Sequence, residues 1–320
     1  MAWFEGFETR RFAVNGIEIF AHVPHEAQGT RPALLLLHGF PQTHAMWQRV
    51  AQQLAEDYFV VMPDLRGYGD SSKPLGTADH AQASKRVMAQ DMVAVMDALN
   101  VRSFLVCGHD RGGRVAHRLA LDHPTRVSKL CVIDIAPTLD MYNATDMDFA
   151  RAYYHWFHLI QPSPLPERMI GATPEAARDY LHAKLGGWGS AGLGFIEPQA
   201  LAEYERCFVK PESIHSACED YRASAGIDLE HERENRAHGD KLQCDLLVLP
   251  TGDFHPISSR PCWAHTGWST RTPNGVGRLR RPCPWSPVTA DVIRQTEVID
   301  GQLVEPWRGI RLPWSRPCAL

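Results

Sequence analysis

Four aliphatic runs separated by helix-patterned segments constrain this chain most. Ala33–Leu37, Tyr58–Met62, Phe104–Cys107 and Leu130–Ile135 carry no alternating polar face, as expected of strands buried on both sides. Between them, Ala45–Glu56 places Met46, Val50 and Leu54 at helical spacing. Ser84–Leu99 reads as a long amphipathic helix and Gly112–Leu121 as a shorter one. Strand–helix alternation of this kind predicts an α/β fold, with a mainly parallel sheet and helices on both faces. Ahead of it, Arg11–Val14 and Ile17–Val23 form a predicted hairpin, because Asn15-Gly16 supplies the positive φ of a tight turn.

The rhythm stops between Thr138 and Asp240. That stretch holds the aromatics Tyr153, Tyr154, His155, Trp156 and Phe157, prolines at Pro162, Pro164 and Pro166, and helix-like segments without clear strands. The expected organisation is a core over residues 1–137, an inserted helical cap over 138–240, and a returning core strand over 241–250, with Leu246–Leu249 at its centre. Residues 251–320 are different in kind. They hold nine of the 23 prolines, five of the nine tryptophans, nine arginines and no lysine. We read them as an irregular tail that leaves the last strand and helix of the sheet in doubt. The sharper reading is a change of reading frame near codon 250, which the coding DNA would settle.

Composition excludes several classes. The 37 acidic and 33 basic residues give a net charge of −4, so no basic surplus points to nucleic acid or to an anionic membrane. No apolar run near the start approaches the ~20 residues of a spanning helix, and Met1–Arg11 lacks the pattern of a signal peptide. Eight cysteines without a CxxC pair, two of them (Cys107 and Cys131) within strand-like runs, suggest buried free thiols in reducing cytoplasm.

The chemistry centres on Gly108-His109-Asp110-Arg111-Gly112, set between a strand and a helix. Small residues there permit the strained turn that projects a nucleophile. The central residue is Asp110, and a G-x-S-x-G is absent from the chain. The plainer role for Asp110 is a helix cap. As a nucleophile, a carboxylate suits displacement at saturated carbon, giving an alkyl ester that water then cleaves. The backbone N–H groups of Phe40 and Arg111 are placed to stabilise the oxyanion of that second step.

His38-Gly39-Phe40-Pro41-Gln42, Asp64-Leu65-Arg66-Gly67-Tyr68-Gly69-Asp70-Ser71 and Gly108–Arg114 together resemble α/β-hydrolases of the haloacid type, closely the fluoroacetate (haloacetate) dehalogenases. The resemblance runs from about Phe12 to Leu249. It implies the α/β-hydrolase fold and hydrolytic dehalogenation of a haloacetate through an aspartyl ester. It also implies a halogenated carboxylate and water as partners, and no cofactor or metal. Nucleic acid and membrane are not expected partners, and a homodimer is left open.

Arg111 and Arg114 discriminate within the superfamily, where haloalkane dehalogenases and many epoxide hydrolases carry Trp after the nucleophile. Two guanidinium groups one helical turn apart suit a substrate carboxylate, unless one of them pairs with a structural acid. Asp134, at the carboxyl end of a buried strand, is expected to orient a catalytic imidazolium, with a turn or cap role as the plainer alternative. By the resemblance, His155, Trp156 and Tyr221 bind the leaving halide. The family's Gly-His-Phe loop near the C-terminus has no counterpart here. His255 and His265 stand in the tail, and neither is assigned as the catalytic base. Two rival functions stand beside this one: an epoxide hydrolase, which a pair of cap tyrosines would favour, and a non-catalytic small-molecule binder of the same fold.

Overall fold

The computed structural model describes residues 3–187 and 192–249, with the backbone of 298–299 and 302–303. Its centre is a seven-stranded sheet in the order β1-β2-β4-β3-β5-β6-β7. The strands are β1 (Phe7–Val14), β2 (Ile17–Pro24), β3 (Ala33–Leu37), β4 (Phe59–Pro63), β5 (Phe104–His109), β6 (Val127–Ile133) and β7 (Asp245–Leu249). The hairpin β1–β2 and the β2–β4 pair are antiparallel, while β4, β3, β5, β6 and β7 run parallel. The α/β class and the mainly parallel sheet are as the sequence implied. Every residue of β3 and β4 is buried, which is why those strands show no polar alternation.

The chain leaves β3 for β4 on one side and returns past β3 to β5 on the other, so the strand order reverses between β3 and β5. Ligands of open α/β sheets bind outside the carboxyl ends of strands at such a point. His38-Gly39-Phe40 follows β3 and Asp110 follows β5.

The core helices are α1 (Gln48–Asp57), α2 (Lys85–Ala98) and α3 (Arg111–Asp122). The segment expected as one helix from Ala45 opens instead as a 3-10 turn, His44–Trp47, fixed by the Thr43 hydroxyl accepting from the Ala45 N–H. Ser84 caps α2 by accepting from Val87 N–H, so the predicted start at Ser84 is the cap residue itself.

Between β6 and β7 the described residues form eight helices and no strand. These are α4 (Thr138–Asn143), α5 (Met147–Ala152), α6 (Tyr154–Leu159), α7 (Leu165–Ile170), α8 (Pro174–Gly186), α9 (Pro198–Phe208), α10 (Pro211–Ala225) and α11 (Ile227–His238). Proline opens α8, α9 and α10 at a position where a missing N–H costs nothing. Among the described residues, no helix is long and apolar enough to cross a membrane, and the five described cysteines are free, Cys131 buried and Cys107 half-buried. The readings of the tail, with His255 and His265, lie outside the described residues. All that is described beyond β7 is a two-residue ladder between β8 (Val298–Ile299) and β9 (Gln302–Leu303).

Candidate active site

Asp110 is the single residue between β5 and α3, and its backbone sits at φ +46°, ψ −114°. A non-glycine residue holds such a conformation only where its surroundings impose it. Two close approaches do so here. A Cβ on Gly112 would lie 2.3 Å from the His38 carbonyl oxygen, so only glycine lets α3 begin against the end of β3. A Cβ on Gly39 would lie 2.6 Å from Asp110 Cβ, so glycine also makes room for the carboxylate. The Asp110 side chain makes no capping bond to α3. Its Oδ1 instead accepts from the Phe40 N–H at 3.0 Å. The helix-cap alternative for Asp110 is therefore not what the geometry displays.

Arg111 and Arg114 differ in what holds them. Arg111 is fully buried. Its Nε donates to Asp220 Oδ2 at 3.0 Å, and its Nη2 to Asp220 Oδ1 at 2.5 Å and to the Asp220 carbonyl at 2.9 Å, with Ser224 Oγ beside it. Burial opposes its charge, and Asp220 outweighs that and holds the guanidinium protonated. Nη1 is buried without a partner. Arg114 has no acid within ion-pair distance among the described residues. Its Nη1 donates to the Ala136 carbonyl and Thr138 Oγ1, both at 2.9 Å, its Nη2 approaches Met141 Sδ, and its Nε is buried without a partner. The structural ion pair thus falls on Arg111. Each arginine still keeps one unbonded nitrogen donor in the protein interior, which is costly unless something arrives to accept from it.

Asp220, which no motif of the sequence singles out, organises this region. Besides Arg111 it accepts from Tyr68 O–H at 2.5 Å and pairs with Lys85, whose ammonium also lies 3.6 Å from Asp228. Its pKa is held well below the carboxylate range because Arg111 and Lys85 overcome the cost of burial. One sequence signal could have found it: a buried guanidinium beside Asp110 demands an acid, and Asp220 adjoins Tyr221, a residue expected at the site.

The aromatic wall comes from α6 and α10. His155, Trp156 and Tyr221 are all buried. Phe40 stacks on His155 with centroids 6.1 Å apart and meets Tyr221 edge-on at 5.3 Å. The guanidinium of Arg111 lies 4.2 Å from the Tyr221 ring, and that of Arg114 lies 4.7 Å from the Trp156 ring. Each cation thus covers one halide-candidate ring. The Tyr221 hydroxyl is buried without a hydrogen-bond partner, and its pKa rises well above the phenol range through burial and the Asp110 carboxylate. Burial, then the charges of Lys184 and Arg111, push the His155 pKa far down, so the ring is neutral and keeps one N–H.

Asp134 directly follows β6 at φ +56°, its N–H donating to the Leu249 carbonyl at 3.0 Å. It shares a neighbour with Asp110: burial, then the carboxylates of Asp134 and Asp110, raise the Tyr153 pKa. Tyr153 was read as cap aromatic and was not expected to lie within reach of both charges. The structure thus brings Phe40, Asp110, Arg111, Arg114, His155, Trp156 and Tyr221 together and adds Tyr153 and Asp220.

The sequence matches the model of the α/β-hydrolase fold family over residues 32–180. It is 48% identical over 249 residues to a fluoroacetate dehalogenase of Burkholderia sp, covering 77% of this chain and 78% of that protein. It is 33% identical over 238 residues to a soluble epoxide hydrolase of Corynebacterium sp, covering 73% of this chain and 79% of the relative. Among solved structures, an α/β hydrolase from Nostoc superposes with a TM-score of 0.76 at 50% identity, covering 84% of this chain and 88% of the other. With that fold, that elbow and that degree of identity, the chain belongs to the α/β-hydrolase family, in its fluoroacetate dehalogenase-like branch.

Proposed function

We propose that this protein hydrolyses the carbon–halogen bond of a haloacetate, with Asp110 as nucleophile. A carboxylate oxygen of Asp110 attacks the halogen-bearing carbon. The new C–O bond forms as the C–halogen bond breaks, and the electron pair leaves with the halide. The Tyr221 O–H, the Trp156 N–H and the His155 N–H are the donors offered to that halide, in a pocket where burial makes each contact count. Water then attacks the Asp110 ester carbon, the oxyanion is held by the Phe40 and Arg111 N–H groups, and glycolate departs. Asp134 would steady the imidazolium of a base.

The observation that carries the substrate class is the pair of unsatisfied donors, Arg111 Nη1 and Arg114 Nε, buried near the nucleophile. They favour a substrate that brings its own carboxylate, one oxygen to each arginine. The fluoroacetate dehalogenase relative supports the same reading. The helical insertion, which supplies the halide donors, serves as the cap. The test is halide release from fluoroacetate and bromoacetate by the purified chain, with Asp110→Asn as control. Release by the control at the parental rate would overturn the assignment.

One observation favours a second reading. Burial and the Asp110 carboxylate raise the pKa of both Tyr153 and Tyr221, two phenols near it that could polarise an epoxide oxygen. Diol formation from a small uncharged epoxide, without halide release from haloacetates, would select it.

A further inference from the structure

Next to His155, α6 and α8 present four more side chains, His158, Tyr180 and Lys184 with the half-exposed Tyr154. Lys184, in the last turn of α8, is 6% exposed. Its ammonium lies 3.9 Å from the Tyr154 ring centroid and 5.9 Å from that of Tyr180. Among the described residues it has no carboxylate within 4.0 Å. The Tyr180 hydroxyl and His158 Nε2 are also buried without hydrogen-bond partners, and their rings meet edge-on at 6.2 Å. Tyr154 and His158 are one turn apart on α6, as Tyr180 and Lys184 are on α8, so the two helices offer matching pairs.

An ammonium with no carboxylate partner among the described residues thus stands beside a phenol O–H and an imidazole nitrogen that have no hydrogen-bond partner there. Aromatic faces offset part of the cost of a buried cation, and a water molecule could bond the ring groups, but neither supplies the missing negative charge. A compact monovalent anion supplies both charge and lone pairs. We propose that Lys184, Tyr180 and His158 form a second anion site, walled by Tyr154, which takes a halide ion or the carboxylate of a haloacetate. Only the identity of that anion rests on the dehalogenase reading.

The position gives the site a use. Tyr154 meets His155 edge-on with centroids 6.2 Å apart, and the Lys184 charge is felt by both His155 and His158. An anion held there is therefore one aromatic layer from the halide donors. The surrounding charges are already committed: Glu205 of α9 to His182 and Arg178, Glu167 of α7 to Arg222 and His215. Cys218 of α10 faces Tyr180, with its thiol pushed up to about 12 by burial. Burial brings Lys184 down to about 8, so the ammonium form that binds anions is lost as pH rises through that value, and a bound anion should shift the loss upward.

The test uses the full chain and bromide as probe. Crystals soaked in sodium bromide should show anomalous scattering in contact with Lys184 Nζ, and Lys184→Met should abolish that peak while keeping any peak beside Trp156. Competition by sodium acetate would assign the site to carboxylates, and its failure to compete would assign the site to halides alone. In kinetics, Lys184→Met should lower kcat/KM for bromoacetate roughly tenfold, the worth of one charge-assisted contact, while alkylation at saturating substrate changes little. Lys184→Arg should restore most of the loss. Bromide confined to the Trp156 side in the parent protein would overturn the proposal, as would an unchanged kcat/KM in Lys184→Met. If no haloacetate is turned over, the bromide measurement still decides the site, separately from the proposed function.

Discussion

Arg111 and Asp220 form a two-pronged ion pair with no exposure to solvent, Nε to Oδ2 at 3.0 Å, between the residue that follows Asp110 and the residue that precedes Tyr221. The pair spends two of the three guanidinium nitrogens of Arg111 and leaves Nη1. It also sets where the Tyr221 ring lies, because the same guanidinium covers that ring. One of the two proposed carboxylate donors and one proposed halide donor are thus positioned by a single carboxyl group.

Asp220→Asn should therefore be severe. It leaves the buried cations Arg111 and Lys85 without their shared counter-charge, and removing one partner of a buried pair typically costs about 3–5 kcal/mol. Denaturant unfolding should show that loss, and Asp220→Asn with Lys85→Met should recover part of it. A stability within 1 kcal/mol of the parent, by order of magnitude, would mean the network is not holding the fold.

Arg114→Lys tests the carboxylate contact. An ammonium cannot reproduce the planar fork that reaches Ala136, Thr138 and substrate together. Charge-assisted bonds are worth about 1.5–3 kcal/mol, so bromoacetate should alkylate the enzyme roughly ten- to a hundredfold more slowly. Equal single-turnover rates would remove Arg114 from the substrate site.

Trp156→Phe keeps a ring beneath the Arg114 guanidinium and deletes the indole N–H. Fluoride, the poorest leaving group, depends most on donated hydrogen bonds. First-step defluorination should fall more than debromination in single-turnover assays. A uniform loss for both halides would indicate damaged packing.

Alkylation of Asp110 requires only its carboxylate and the pocket, whereas ester hydrolysis needs an activated water, and general-base help contributes ~10²–10⁴-fold. Halide release should therefore run ahead of ester hydrolysis, so rapid quench with bromoacetate should show about one halide released per site and a carboxymethyl ester trapped on the enzyme. Intact mass and peptide mapping should place the adduct on Asp110. Halide release with no trapped ester on Asp110 would remove the covalent intermediate.

His22, packed among Phe4, Phe20 and His44, has its pKa brought down to about 4, first by burial and then by His44. Burial, then Arg118 and Arg114, bring His117 to about 3. Both rings bind protons more readily when unfolded, so stability should be flat above pH 6.5 on their account and fall as pH drops toward 4. His22→Phe should make that acid slope shallower in thermal melts. Superimposable slopes would show that His22 does not contribute.

The sheet was legible because burial on both faces writes itself as an unbroken aliphatic run, and β3 has the predicted bounds, Ala33–Leu37. The helices α4 to α7 were not individually legible, since six residues contain too few turns to show a period. At the site, the elbow was readable because glycine and a charged residue between a strand and a helix form a local pattern. The division of labour between Arg111 and Arg114 was not. It depends on Asp220, 109 positions away, and on Lys85, paired with Asp220 across 135 positions. Charges that meet only after folding leave no spacing in the sequence. Tyr153 was missed for a related reason: its place among aromatics is what a packed helix would show anyway.

The backbone at position 110 is shaped by Gly39 and Gly112 pressing against their neighbours, and the Asp110 carboxylate takes no part in capping the helix that follows. The turn is thus a fixed mount that does not depend on what it carries. Replacing one side chain on it exchanges the nucleophile without rebuilding the scaffold, so divergence of chemistry among proteins of this architecture can proceed by single substitutions rather than by remodelling of loops.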